Sequence, residues 1–100
     1  MHNPPNRFIR LIYRLRGRDP FSKYYAWLTQ FGRITEGQIM DFQQSEMETT
    51  IYYHYKVANV DYETSQKLSF EQVNQLHRFI PGANVTVRYD PKNPGVSIVP

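Results

Sequence analysis

The stretch from Thr49 to Leu68, "TTIYYHYKVANVDYETSQKL", decides the fold. Side chains alternate along an extended chain, so Ile51, Tyr53, Tyr55 and Val57 share one face while Tyr52, His54 and Lys56 share the other. After Ala58 and Asn59 the alternation resumes, from Val60 to about Leu68. With those two residues as the loop, paired positions sum to a constant. Val57 then faces Val60, Lys56 faces Asp61, Tyr55 faces Tyr62 and His54 faces Glu63. Apolar meets apolar on one face and opposite charges meet on the other, agreement that a slip of one residue would destroy. Ala58 is the discordant residue, because positive φ is unfavourable for alanine whereas asparagine tolerates it. A type I turn with a bulge, shifting the register by one, is the competing expectation.

Working outward, "GQIMDF" (Gly37 to Phe42) reads as an earlier strand. "SFEQVNQLHRFIPG" (Ser69 to Gly82) predicts a helix. Ser69 and Gln72 fit a capping box, Phe70, Val73, Leu76 and Phe79 or Ile80 give an inward stripe, and Pro81-Gly82 ends it. Val85, Val87 and Tyr89 alternate as a fourth strand. "DPKNPG" (Asp90 to Gly95) is a turn whose prolines preset φ and withhold N–H donors, so Ser97 to Val99 return as a short fifth strand at an edge or corner.

Upstream, "DPFSKYYAWLTQFG" predicts a helix over residues 20–31, with Asp19 as cap, Pro20 at the first helical position and Gly32 allowing a left-handed exit. Phe21, Tyr24, Tyr25, Leu28 and Phe31 recur at helical spacing beside Trp27. That face is expected in the core, with an aromatic ligand pocket as the sharper alternative. Before it, "RFIRLIYRLRGR" places Arg7, Arg10, Arg14 and Arg18 on one helical stripe, with Phe8, Ile9, Leu11, Ile12 and Leu15 on the other sides and Gly17 as terminator. The expected fold is therefore mainly β with added helices (α+β). It is a five-stranded antiparallel small barrel or strongly twisted sheet in the OB-like order β-β-β-α-β-β, preceded by two N-terminal helices. Residues 1–18 form a basic arm and residues 19–100 a single globular domain with a β-rich body over 33–99.

The totals narrow the function. One hundred residues suit one domain with one modest core. Without cysteine there are no disulfides, no thiolate nucleophile and no cysteine-ligated zinc. No charge-free apolar run approaches the roughly 20 residues that span a bilayer. The formal charge of +3 is unevenly spread: through Arg33, seven basic residues stand against Asp19 alone, a net of +6, and the remainder carries −3. Basic arms of this kind meet the phosphates of lipid head groups or nucleic acid.

The later strands also carry a resemblance. Gly37 with Ile39, then "IYYHYKV", then Tyr62 after a tight turn, then "VRYDPKNPGVS" are together similar to the uncharacterised family called domain of unknown function 3592, over about Trp27 to Val99. The family pattern has Asp-Gly where this chain has Ala58-Asn59, and members often carry transmembrane helices beside the domain. The resemblance implies an architecture and a membrane-adjacent context, and no activity.

The candidate catalytic grouping is His54 opposite Glu63, flanked by Tyr52 and Lys56. A plain cross-strand pair is the reading set against it and the one preferred. His77 has no His or Glu at i+4, so no metal motif forms, and no cofactor or small-molecule substrate is inferred. The expectation is a non-enzymatic interaction or scaffold domain, cytoplasmic or at the inner face of the membrane. Arg7, Arg10, Arg14 and Arg18 would contact an anionic membrane surface or other phosphates, and Tyr52, His54, Lys56 and Glu63 form the candidate interaction face for a protein partner or a second copy. An OB-like binder of single-stranded nucleic acid is the alternative, opposed by Asp61 and Glu63 on the same face. A partner-neutralising immunity or adaptor protein is the third.

Overall fold

A computed structural model describes residues 22–100. Helix α1 (Ser22–Phe31) leads into strand β1 (Arg33–Gln44), which is followed by β2 (Thr49–Val57), β3 (Val60–Lys67), a single helical turn α2 (Phe70–Val73), a 3₁₀ turn (Leu76–Phe79), β4 (Asn84–Asp90) and β5 (Asn93–Ile98). The five strands form one antiparallel sheet in the order β3-β2-β1-β4-β5. The helix expected over Arg7–Arg18 lies outside the described residues, among which one of the two expected N-terminal helices stands.

The β2–β3 hairpin has the constant-sum register throughout: Val57↔Val60, Lys56↔Asp61, Tyr55↔Tyr62, His54↔Glu63 and on to Thr50↔Lys67. Its two loop residues both adopt positive φ, Ala58 at 51° and Asn59 at 67°. That pairing is the signature of a type I′ turn, whose twist matches the strands, so the bulged type I alternative falls. The mutual fit of eight residue pairs outweighs alanine's dislike of the left-handed region.

The sheet curls until its outer strands nearly meet. Ile39, Ile51, Tyr53, Tyr55, Leu68, Phe79, Val85, Val87 and Val99 form the core, each worth on the order of 1.5–3 kcal/mol when buried. A register shift between Ile39 and Asp41 bends β1. Gly37 sits where the neighbouring strands leave no room for a side chain: a Cβ there would lie 2.7 Å from Val87 Cγ2 and 2.8 Å from the His54 carbonyl oxygen. The gap between β3 and β5 is bridged by a side chain acting as a peptide group. Gln66 Nε2 donates to the Val99 carbonyl at 2.8 Å, and the Val99 N–H donates back to Gln66 Oε1 at 2.8 Å. Gln72 Nε2 donates to the same carbonyl at 2.8 Å. The barrel is thus nearly closed, with amide side chains completing what backbone pairing leaves open.

Three expectations need correction. The segment from Ser69 to Gly82 is not one helix. The capping box forms as expected, with Ser69 Oγ accepting from the Gln72 N–H and Gln72 Oε1 accepting from the Ser69 N–H, but the α-helical turn ends at Val73. The inward positions Val73, Leu76 and Phe79 are three apart, the 3₁₀ spacing, and Phe70 is left 81% exposed. Gly32 is not in the left-handed region; it is needed because a Cβ would approach the Leu28 carbonyl oxygen to 2.7 Å. And β5 is longer than Ser97 to Val99, running through Pro94 from Asn93 to Ile98.

Candidate interaction faces

Two surfaces concentrate the features singled out above. The first is the outward side of β2 and β3. Alternation fixed by the buried Ile51, Tyr53 and Tyr55 sends Tyr52, His54 and Lys56 outward together, with Glu63 across from His54. The sheet brings further polar groups to them from β1. His54 Nε2 lies 3.3 Å from Gln38 Oε1, and the Tyr52 hydroxyl donates to Gln43 Oε1 at 3.1 Å. Lys56 Nζ stands 3.8 Å from Asp61 Oδ1. His54 thus has Gln38, not Glu63, within hydrogen-bonding reach, and Lys56 is already matched by a carboxylate. The four candidate residues share one face, and that face is a network of neutral amides and a local ion pair with both signs of charge present.

The second surface is the N-terminal end of the described chain. Arg7, Arg10, Arg14 and Arg18 lie outside the described residues. The helix that follows them is visible, and its aromatic face is not wholly core. Leu28 is buried, Tyr24 and Tyr25 are half-buried, but Trp27 is 43% and Phe31 63% exposed. Tyr24, Trp27 and Phe31 make a row of rings, with centroids 6.4 Å and 6.0 Å apart. Ile34, at the start of β1, is also 63% exposed. Lys23, one turn before Trp27 on the same helical stripe, and Arg33, just after the helix, form no ion pair among the described residues.

The helix is anchored to the barrel through Leu28 and through Tyr24, the half-buried ring of the row. The Tyr24 hydroxyl donates to Asp90 Oδ2 at 2.5 Å, and Asp90 Oδ1 accepts from the Lys92 N–H at 2.8 Å, so one carboxylate ties α1 to the β4–β5 turn. Burial, then the hydrogen bond to Asp90 and that group's charge, push the Tyr24 pKa well above the usual tyrosine value. At the helix C-terminus, Arg88 Nη1 donates to the carbonyls of Gln30, at 3.4 Å, and Gly32, at 3.0 Å. A guanidinium there satisfies free carbonyls and complements the negative end of the helix dipole. Since Arg88 pairs in register with Ile34, the same residue joins Ile34 to the end of the helix that carries Phe31.

Sequence reasoning missed this exposed row because it counted aromatic spacing without measuring the arc. From Tyr25 through Leu28 and Tyr24 to Trp27 the large side chains span roughly 160° at about 100° per residue. Trp27 stands at one edge of that arc, and Phe31 is the last residue of the helix. Among the described residues no cluster of three His, Asp or Glu side chains converges on a point, and no helix is long and apolar enough to cross a membrane.

No curated protein and no solved structure matches the chain. One family does match, over residues 31–100, a span that contains all five strands and leaves nearly the whole of α1 outside it. The chain therefore belongs to the family described as Domain of unknown function (DUF3592).

Proposed function

We propose that this protein is a non-enzymatic interaction domain that sits peripherally on an anionic membrane surface at the cytoplasmic side, drawn there by its N-terminal segment. The observation that carries the reading is the separation of charge: +6 through Arg33 and −3 beyond it. A body that is mildly acidic is repelled by anionic lipid, so the basic end faces the surface and the barrel faces away. Arg7, Arg10, Arg14 and Arg18 contact head-group phosphates in this reading, and the outward face of β2 and β3, with Tyr52, His54, Lys56 and Glu63, remains open for a protein partner.

Vesicle sedimentation tests it. Each cation near an anionic surface contributes about 1 kcal/mol, so replacing all four arginines with alanine lowers affinity for phosphatidylglycerol vesicles by up to about three orders of magnitude. Equal pelleting on neutral and anionic vesicles, or no loss in the variant, overturns the reading.

A second reading, an OB-like binder of single-stranded nucleic acid, draws support from the strand order β3-β2-β1-β4-β5 with β3 and β5 brought together at Gln66 and Val99, the cyclic order expected of such a barrel. Asp61 and Glu63 beside the β2 side chains weigh against it. A flat oligonucleotide titration at low salt disposes of it.

A further inference from the structure

We infer that the exposed row formed by Trp27 and Phe31 of α1, with Ile34 beside it, is the surface that seats the domain in the membrane interface, inserting between head groups while Lys23 meets lipid phosphate. The inference rests on the membrane reading above and adds to it a defined apolar contact on the folded body.

The geometry is that of an interfacial seat. α1 is held to the barrel by buried Leu28, by the Tyr24 to Asp90 hydrogen bond and by Arg88 on its last carbonyls. Its ring-bearing flank is thereby presented rigidly. Trp27 and Phe31 are four residues apart and so stand one turn above the other, and Lys23 lies a further four residues back along the same stripe. An indole half in contact with protein and half exposed has an apolar body and a polar N–H, the combination that favours the head-group layer. Lys23 shares the stripe of the rings, where a lysine stem lies along apolar surface while its charged end reaches phosphate.

Charge decides among the occupants. A second copy seated on the same row about a twofold axis would bring two basic surfaces together, each carrying Lys23 and the arginines that precede it, with no acidic group on the row to offset them. Folding the chain's own residues 1–18 back over the row would place five arginines beside Lys23. An anionic bilayer supplies negative charge to Lys23 and the preceding arginines together, and takes up the apolar side chains in the same step.

Trp27 is the only tryptophan in the chain, so its fluorescence reports on the site directly. The full-length protein is titrated with phosphatidylglycerol–phosphatidylcholine vesicles, with phosphatidylcholine vesicles as control. Seating gives a shift of Trp27 emission to shorter wavelength and protection from acrylamide, both absent with neutral lipid. Phe31→Ser and Ile34→Ser, at exposed positions that leave the far-ultraviolet circular dichroism unchanged, each weaken vesicle affinity by about tenfold, from partial loss of a buried apolar side chain. Co-sedimentation with unchanged emission and full affinity in both variants overturns the seat while leaving charge-driven attachment intact. Failure to sediment at low salt overturns both. A blue shift that grows with protein concentration in the absence of lipid assigns the row to a second copy and overturns the inference.

Discussion

The two hairpins of the barrel solve the same problem by different means. β2 and β3 pair without interruption through eight residue pairs about a two-residue loop, and the information needed lies within the hairpin itself. β4 and β5 pair at Arg88↔Ile98, Tyr89↔Ser97 and Asp90↔Asn93, so that residues 94–96 form a bulge with no partner opposite them, Val96 within it being buried. That bulge is held from elsewhere. The Tyr55 hydroxyl donates to the Pro94 carbonyl at 2.7 Å, Tyr53 Oη lies 2.8 Å from Ser97 Oγ, and Tyr24 holds Asp90 at the turn. A proline-rich hairpin gives up ladder hydrogen bonds and recovers them from distant tyrosines, whereas a regular hairpin needs only its turn and its cross-strand neighbours. The first hairpin should therefore tolerate the loss of remote side chains that the second does not.

The largest test of that contrast is Tyr55. Its ring stacks between Tyr53 and Tyr62, with centroids 5.9 Å and 5.4 Å away, while its hydroxyl supports Pro94. Tyr55→Ala removes both functions and is expected to cost about 3–5 kcal/mol in urea denaturation. Tyr55→Phe keeps the ring and should cost about 1–1.5 kcal/mol. In the phenylalanine variant, amide hydrogen exchange accelerates selectively in β5 and the residues around Pro94, and β3 keeps its protection. Equal acceleration in both hairpins would erase the distinction drawn between them.

A smaller effect, sharpened by pH, belongs to Tyr24. Because its folded pKa is raised, the protonated hydroxyl is the form that the native state favours. The sign follows from linkage: the stabilisation is fully present below the ordinary tyrosine value of about 10, and is lost as pH rises through the higher folded value. Tyr24→Phe should lower stability by about 1 kcal/mol near neutrality. The gap between wild type and variant should then close with increasing alkalinity. Chemical denaturation from pH 7 upward measures it, and parallel curves would show that the Asp90 contact contributes nothing that depends on the proton.

The same contrast explains what was legible in the sequence. The β2–β3 register could be read in advance because its determinants are adjacent in the chain: alternation, matched apolar pairs, and Lys56 opposite Asp61. The capping box at Ser69 and Gln72 was legible for the same reason. The full length of β5 was not, since Pro94 within a strand depends on a bulge supported by Tyr55, 39 residues away. Nor was the closure of the barrel, because nothing local marks Gln66 as a side chain that substitutes for a peptide group beside Val99. At the candidate faces, alternation put Tyr52, His54, Lys56 and Glu63 on one side correctly. It did not reveal that β1 would bring Gln38 to His54, a contact between strands whose pairing is set by the whole sheet. The exposure of Trp27 and Phe31 required knowing how little of α1 the curled sheet would cover.

The smallest expected effect tests the one local flaw in the regular hairpin. Ala58 holds φ at 51°, where its Cβ approaches neighbouring backbone, and glycine has no such atom. Ala58→Gly relieves a strain of about 1–2 kcal/mol but also frees the unfolded chain, which returns about 0.4–1 kcal/mol of that gain. The net expectation is a stabilisation of about 0.5–1 kcal/mol, read as a higher urea midpoint with an unchanged slope. Because β2–β3 contains its own determinants, the gain should appear undiminished in a Tyr55→Phe background, the two changes adding within about 0.5 kcal/mol. Strong coupling between them would mean that the turn and the distant proline bulge form one cooperative unit, and the separation of the hairpins would then be a feature of geometry without a counterpart in energy.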